Sequence, residues 1–194
     1  MIRAFIAIDL PSQLRERLGD QIQHLKAKAP EGVIRLASPA GIHLTLRFLG
    51  DLRPSQIEQV GAVIQDAASS ESPFRIEVSG LGCFPNAQRP RVIWAGVYGE
   101  VEPLLRLQRV LEDGLAKLGF EPEGRPFRPH LTLGRVRREV RDSRSRELAE
   151  NLDRIAVGRL GEFVVQEISL FRSDLRPTGA VYSVLLSRPL GGIA

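Results

Sequence analysis

The chain has 194 residues, 43% hydrophobic and 26% charged, with a net charge of +4 and a pI near 9.8. That is enough apolar material for a core without staples. The single cysteine, Cys83, excludes an internal disulfide framework, and no apolar run reaches the roughly 18 residues of a membrane span. The opening Met1-Ile2-Arg3-Ala4-Phe5 soon meets Asp9, unlike a secretory leader, so the expectation is a cytoplasmic protein with no membrane partner. Almost all basic residues are arginine, which suits bidentate contacts to phosphate and equally fits a bias of genome composition.

In chain order, Ile2 to Asp9 reads as a buried strand, and Pro11 stands where a first helical turn tolerates proline. Leu14, Leu18, Ile22 and Leu25 follow at helical spacing, ending before Pro30. Ile42 to Leu49 alternates as a strand. Gly50 to Pro54 breaks it, and Ser55 with Glu58 predicts a capping box for a helix through Ile57, Val60 and Ile64. Phe74 to Leu81 alternates again. The order then recurs: a strand at Val92 to Val97, a helix from Val101 to Leu118, a strand at His130 to Val136, a polar helix from about Ser143 to Ile155, a strand from Phe163 to Phe171 and a last strand from Ala180 to Leu186.

The recurrence is also one of sequence. His-Leu-Thr-Leu occurs at His43 to Leu46 and at His130 to Leu133, an offset of 87 residues. The same shift lays Phe5-Ile6-Ala7-Ile8 on Val92-Ile93-Trp94-Ala95, and Ile76, Val78, Leu81 and Phe84 on Phe163, Val165, Ile168 and Phe171. The predicted fold is therefore α+β. Residues 1–84 and 91–194 form two similar lobes of one bilobal domain, each an antiparallel sheet with helices on its outer face, related by a pseudo-twofold axis around a central cleft. The connection at 85–90 is too short for a flexible tether.

The chemistry follows from the period of two in a strand. In His43-Leu44-Thr45-Leu46-Arg47, alternation puts His43, Thr45 and Arg47 on one face and Leu44, Leu46 and Phe48 on the other. His130 and Thr132 project together in the second copy. Two imidazoles across a cleft suit general acid and base work near neutral pH, and each threonine hydroxyl can donate to an anionic oxygen held between them. That is what in-line displacement at phosphorus requires. A single His-X-Thr carries little weight, but its recurrence within apolar runs is not explained by packing, which favours Val or Ile there. His24, without a counterpart, reads as a solvated side chain. Two histidines are too few for a catalytic zinc site, and no phosphate-cradling glycine loop or dinucleotide fingerprint occurs. Neither metal nor cofactor is expected.

These motifs, with Arg3 to Pro11, His43 to Gly50 and Phe127 to Arg135, resemble the 2H phosphoesterases, in particular the RNA 2′,3′-cyclic phosphodiesterase (2′-5′ RNA ligase-like) branch. Gly134, where alanine is common, and Leu36, where an aromatic is common, depart from the pattern. The resemblance implies hydrolysis of a 2′,3′-cyclic phosphate at an RNA or oligonucleotide end to a 2′-phosphate. It makes His130 the base that activates water and His43 the acid at O3′, with Thr45 and Thr132 on the nonbridging oxygens. It also places Arg135 near the phosphate. Strict alternation points Arg135 at the core, so that role needs the strand to end or bulge at Gly134. The six arginines from Arg135 to Arg146 read either as an RNA track or as a solvated helix face. Alternatives are a 2′-5′ RNA ligase or 2′-5′ phosphodiesterase and a noncatalytic RNA-binding module; the chain is read as a monomer.

Overall fold

The computed structural model describes residues 1–155, 157–176 and 179–191. Its elements are β1 (Ile2–Ile8), α1 (Ser12–Lys28), β2 (Ile34–Leu36), β3 (Leu44–Leu52), α2 (Gln56–Ser69), β4 (Phe74–Phe84), β5 (Val92–Gly99), α3 (Val101–Lys117), β6 (His130–Val136), α4 (Asp142–Asp153), β7 (Arg159–Val165), β8 (Glu167–Arg176) and β9 (Gly179–Pro189). The strands form two antiparallel sheets, one of four in the order β3-β1-β8-β9 and one of five in the order β2-β6-β5-β4-β7. No helix among the described residues is long and apolar enough to cross a membrane.

The helices cover one face of each sheet. On α1, Leu14, Leu18, Ile22 and Leu25 are buried at helical spacing, and the helix packs on strands of the five-stranded sheet and on α4. Helices α2 and α3 pack on each other and on strands of the four-stranded sheet, with Leu104, Leu107, Leu111 and Leu115 fully buried. This is the expected α+β architecture of two sheets with outer helices.

The sheets do not divide the chain at the repeat boundary. The last strand of the first repeat, β4, pairs with β5 of the second, and β8 of the second repeat pairs with β1 of the first. Each repeat thus completes the sheet of the other. The helices cross over too: α1 follows a strand of the four-stranded sheet yet covers the five-stranded one, and α3 does the reverse.

Local expectations fail at three places. The predicted strand Phe163 to Phe171 is two strands, β7 and β8, in different sheets. The chain changes sheet at Gln166, whose carbonyl accepts from the Leu190 N–H at 2.8 Å. The short β2 is too brief for alternation to reveal. Ser55 makes no capping hydrogen bond because its backbone is already helical; Gln56 Oε1 instead accepts from the Arg53 N–H at 3.0 Å.

One irregularity recurs in both motif strands. Against β1, Thr45 pairs with Ala7 and Arg47 with Ile6, leaving Leu46 unopposed. Against β5, Thr132 pairs with Trp94 and Gly134 with Ile93, leaving Leu133 unopposed. Leu46 and Leu133 are equivalent positions of the repeat. Each is a β-bulge that reverses the alternation beyond it.

Candidate active site

His43 immediately precedes β3 and His130 opens β6, and these two strands contact each other where the sheets meet. Paired residues of an antiparallel ladder share a face, so the register assigns the side chains. Thr45 lies opposite Ala7, which belongs with Phe5 and Phe171 to a small apolar cluster apart from the main core. Arg47 lies opposite Ile6, a main-core residue. In the other sheet Thr132 lies opposite Trp94, and Arg135 opposite Val92, two residues from Trp94 on the same face.

The two imidazoles are held alike. His43 Nδ1 is 2.9 Å from the Gly41 carbonyl oxygen and His130 Nδ1 is 2.6 Å from that of Arg128, two residues back in each case. A carbonyl only accepts, so Nδ1–H donates and Nε2 carries the free lone pair in the neutral ring. His43 stacks on Phe5 with ring centroids 4.4 Å apart and meets the edge of Tyr182 at 5.0 Å. His130 meets Phe84 edge-on at 4.9 Å. Phe171, the repeat equivalent of Phe84, lies 6.1 Å from His43. The exchanged strands therefore give each histidine an aromatic neighbour from the other repeat.

This setting disfavours charge on both rings. Burial lowers the His43 pKa to about 4, against the Gly41 hydrogen bond and the nearby Asp9 carboxylate, with Arg15 adding a smaller depression. His130 is also lowered, first by burial and then by Arg135, while the Arg128 carbonyl opposes. Asp9 and Arg15 pair with each other. Two concavities of about 310 and 180 Å³ lie beside Pro11, and neither is lined by a histidine.

Thus His43 and Thr45 share one inner face, and His130, Thr132 and Arg135 share the other. The bulge at Leu133 is what brings Arg135 onto the Thr132 face. Arg47 does not join them. The bulge at Leu46 turns it to the helix side, where it is 8% exposed. Its Nη1 donates to Glu123 Oε1 at 2.8 Å, Nη2 donates to the Glu121 carbonyl, and Nε lies 3.0 Å from Glu112 Oε1 as an ion pair whose angle makes no hydrogen bond. The expectation that Arg47 contacts substrate is corrected: it ties β3 to α3 and to the segment leading into His130. Phe48, expected in the core, is 55% exposed and contacts Phe5 on the inner face. The aromatics around the histidines have no place in the sequence expectations, although Phe84 and Phe171 recur at the repeat offset. His24 is exposed, as are all six arginines from Arg135 to Arg146.

Two outcomes follow. Above pH 6.5 His43 is neutral both folded and unfolded; as pH falls from 6.5 towards 4 the unfolded chain takes up the proton first, so stability is lost across that window. Denaturant titrations should show a loss of about 2 kcal/mol between pH 7.5 and 5 assignable to this ring, and much of it should vanish in His43→Gln. Equal acid sensitivity in the variant would remove burial of His43 as the cause. Arg47→Met strands the carboxylates of Glu112 and Glu123 and should cost about 2–3 kcal/mol at pH 7.5; a cost below about 0.5 kcal/mol, the size of an ordinary surface change, would show that the tie carries no stability.

The whole chain matches known proteins. The model of the 2′-5′ RNA ligase superfamily matches residues 10–176. An RNA 2′,3′-cyclic phosphodiesterase of Methanothermobacter thermautotrophicus is 36% identical over 182 residues, 94% of this chain and 95% of that protein. One from Aquifex aeolicus is 31% identical over 194 residues, 99% of both. A crystal structure from Thermus thermophilus superposes with a TM-score of 0.79 at 31% identity, covering 98% of this chain and 99% of that one. Escherichia coli LigT complexed with 3′-AMP superposes with a TM-score of 0.75 at 27% identity, covering 97% and 98%. With this fold, this coverage and both His-X-Thr strands in place, the chain belongs to the 2′-5′ RNA ligase superfamily of 2H phosphoesterases.

Proposed function

We propose that the chain hydrolyses RNA 2′,3′-cyclic phosphate ends to 2′-phosphates without a metal, with His43 and His130 as the acid-base pair. The observation that carries this reading is the matching tether of both imidazoles: each Nδ1 is fixed to a carbonyl two residues back, so each ring offers Nε2 as its proton-exchanging atom. The name shared by the relatives from Methanothermobacter and Aquifex supplies the substrate class.

In the step proposed, a water oxygen attacks phosphorus while the base imidazole takes its proton. The bond from phosphorus to O3′ breaks, and the acid imidazole protonates O3′. The product is a 2′-phosphate beside a free 3′-hydroxyl, and the two rings have exchanged protonation states, to be reset through solvent. Charge supports the assignment of His43 as acid and His130 as base. Asp9 near His43 favours the imidazolium, and Arg135 near His130 favours the neutral ring. The phosphodiester anion, bound between them, offsets the burial that favours neutral His43. The hydroxyls of Thr45 and Thr132 lie on the same inner faces to hold the nonbridging oxygens, and Arg135 adds a positive charge beside the second pair. Among the described residues no three metal-ligating side chains gather. Both histidines belong to one polypeptide, which fits a monomer. The same pair, acting in the same direction with a 5′-hydroxyl in place of water, joins that hydroxyl to the phosphorus as O3′ leaves and forms a 2′-5′ linkage, the ligation in the family's name.

Turnover of a nucleoside 2′,3′-cyclic phosphate in EDTA tests the reading, with product position resolved. The expected result is chelator-resistant formation of the 2′-phosphate. His43→Ala and His130→Ala should each lose on the order of 10²–10⁴ in kcat, and Thr45→Val or Thr132→Val on the order of 10². Because both rings are depressed in the free protein and one must be protonated, kcat/KM should rise as pH falls from 7.5 to 6. Inhibition by EDTA, a 3′-phosphate product, or full activity in either histidine variant would reject it. Binding of RNA ends without turnover would favour a noncatalytic module.

A further inference from the structure

Strand β2 is only three residues long, and its pairing with β6 sets Arg35 directly opposite Arg135. Its flanking residues Ile34 and Leu36 pack against the core, leaving Arg35 as its one outward side chain. Directly opposed residues on antiparallel strands have Cβ atoms roughly 4.5–5.5 Å apart, and like charges in that relation destabilise the pair. Both arginines are exposed, and neither guanidinium has an ion-pair or hydrogen-bond partner among the described residues. Packing gives no reason for this juxtaposition. An anion held between the two guanidinium forks does, since two planar, bidentate donors match phosphate oxygens.

The position indicates which phosphate. Thr132 lies opposite Trp94 and Arg135 opposite Val92, two ladder steps apart because Leu133 is bulged, or roughly 7 Å at about 3.3 Å per residue, so arginine side chains there reach the phosphate one nucleotide away from the reacting phosphorus. The arrangement occurs in one half only. The repeat equivalent of Arg135 is Phe48, which cannot bind an anion, and the equivalent of Arg35 is Pro122, which lies in no strand.

Accepting the reaction proposed above, we infer that Arg35 and Arg135 form a second anion subsite, which holds the phosphodiester next to the terminal cyclic phosphate and makes oligonucleotide ends better substrates than mononucleotides.

The test compares a nucleoside 2′,3′-cyclic phosphate with a tetranucleotide bearing the same end, in wild type and Arg35→Gln, at about 50 and 250 mM salt, a range over which phosphate contacts weaken measurably. Wild type should favour the tetranucleotide in kcat/KM. The variant should lose about tenfold more on the tetranucleotide than on the mononucleotide, as expected for a charged hydrogen bond. The slope of log kcat/KM against log salt for the tetranucleotide should fall by about 0.7, one single-strand phosphate contact. Binding of a tetranucleotide 2′-phosphate, followed by fluorescence anisotropy, reports on the subsite without chemistry and should weaken about tenfold in the variant. Absence of wild-type turnover with Arg35-dependent binding intact would overturn the reaction and keep the subsite. Equal tetranucleotide binding by wild type and variant would overturn the subsite whatever the turnover, as would a wild type indifferent to chain length.

Discussion

A β-strand shows alternate side chains to opposite faces, and in both motif strands that alternation is interrupted at the same position of the repeat, Leu46 and Leu133. The interruption lets one short strand serve two layers. Before it, histidine and threonine face the cleft while leucines fill the core. After it, the phase reverses, so Arg47 and Gly134 turn to the helix side and Phe48 and Arg135 to the inner face. Without the bulge Arg135 would drive a guanidinium beneath the sheet, where an unpaired charge costs several kcal/mol. Gly134 fits the same geometry: a Cβ there would lie 2.7 Å from Ile34 Cγ2, so the absence of a side chain lets β2 pair closely enough to bring Arg35 alongside.

The exchange of strands sets the electrostatics of the histidines. Phe84 and Phe171 close the sheets of the opposite repeats, and with Phe5, Tyr182 and Trp94 they surround the imidazoles with apolar rings. The rings are thereby poorly hydrated, and burial favours their neutral forms. A single negative charge brought between them finds little competing solvation, and its effect on their protonation is correspondingly large. The carbonyl tethers at Gly41 and Arg128 keep the rings oriented while that charge arrives.

Much of this is legible in the residues themselves. The repeated tetrapeptides locate both histidines and both threonines, and β6 has the bounds that its alternation implies. What periodicity does not convey is the phase change at Leu46 and Leu133, because a leucine within an apolar run looks the same whether opposed or bulged. Arg47 departs from its expected face for that reason alone. Nor does alternation say which sheet a strand joins: Phe163 to Phe171 has the pattern of one strand, yet its halves lie in different sheets, β7 at an edge and β8 inside the other. The tie from Arg47 to Glu112, Glu121 and Glu123 spans sequence distances at which no local pattern exists.

The central position of β1 has a consequence for how the molecule is made. β1 lies between β3 and β8, and Ile6 pairs with Leu170. The β1–β3 and β4–β5–β6 ladders join segments near in sequence and can form early, whereas the β1–β8 ladder closes a loop of nearly the whole chain, the slow kind of contact. On a ribosome, β1 must wait with one edge open until β8 and β9 emerge. Only then does Phe171 reach Phe5 and His43. The first histidine, already beside Phe5, thus gains Phe171 and Tyr182 only when this sheet closes, and a nascent chain that has not yet closed it lacks part of the environment that tunes the site.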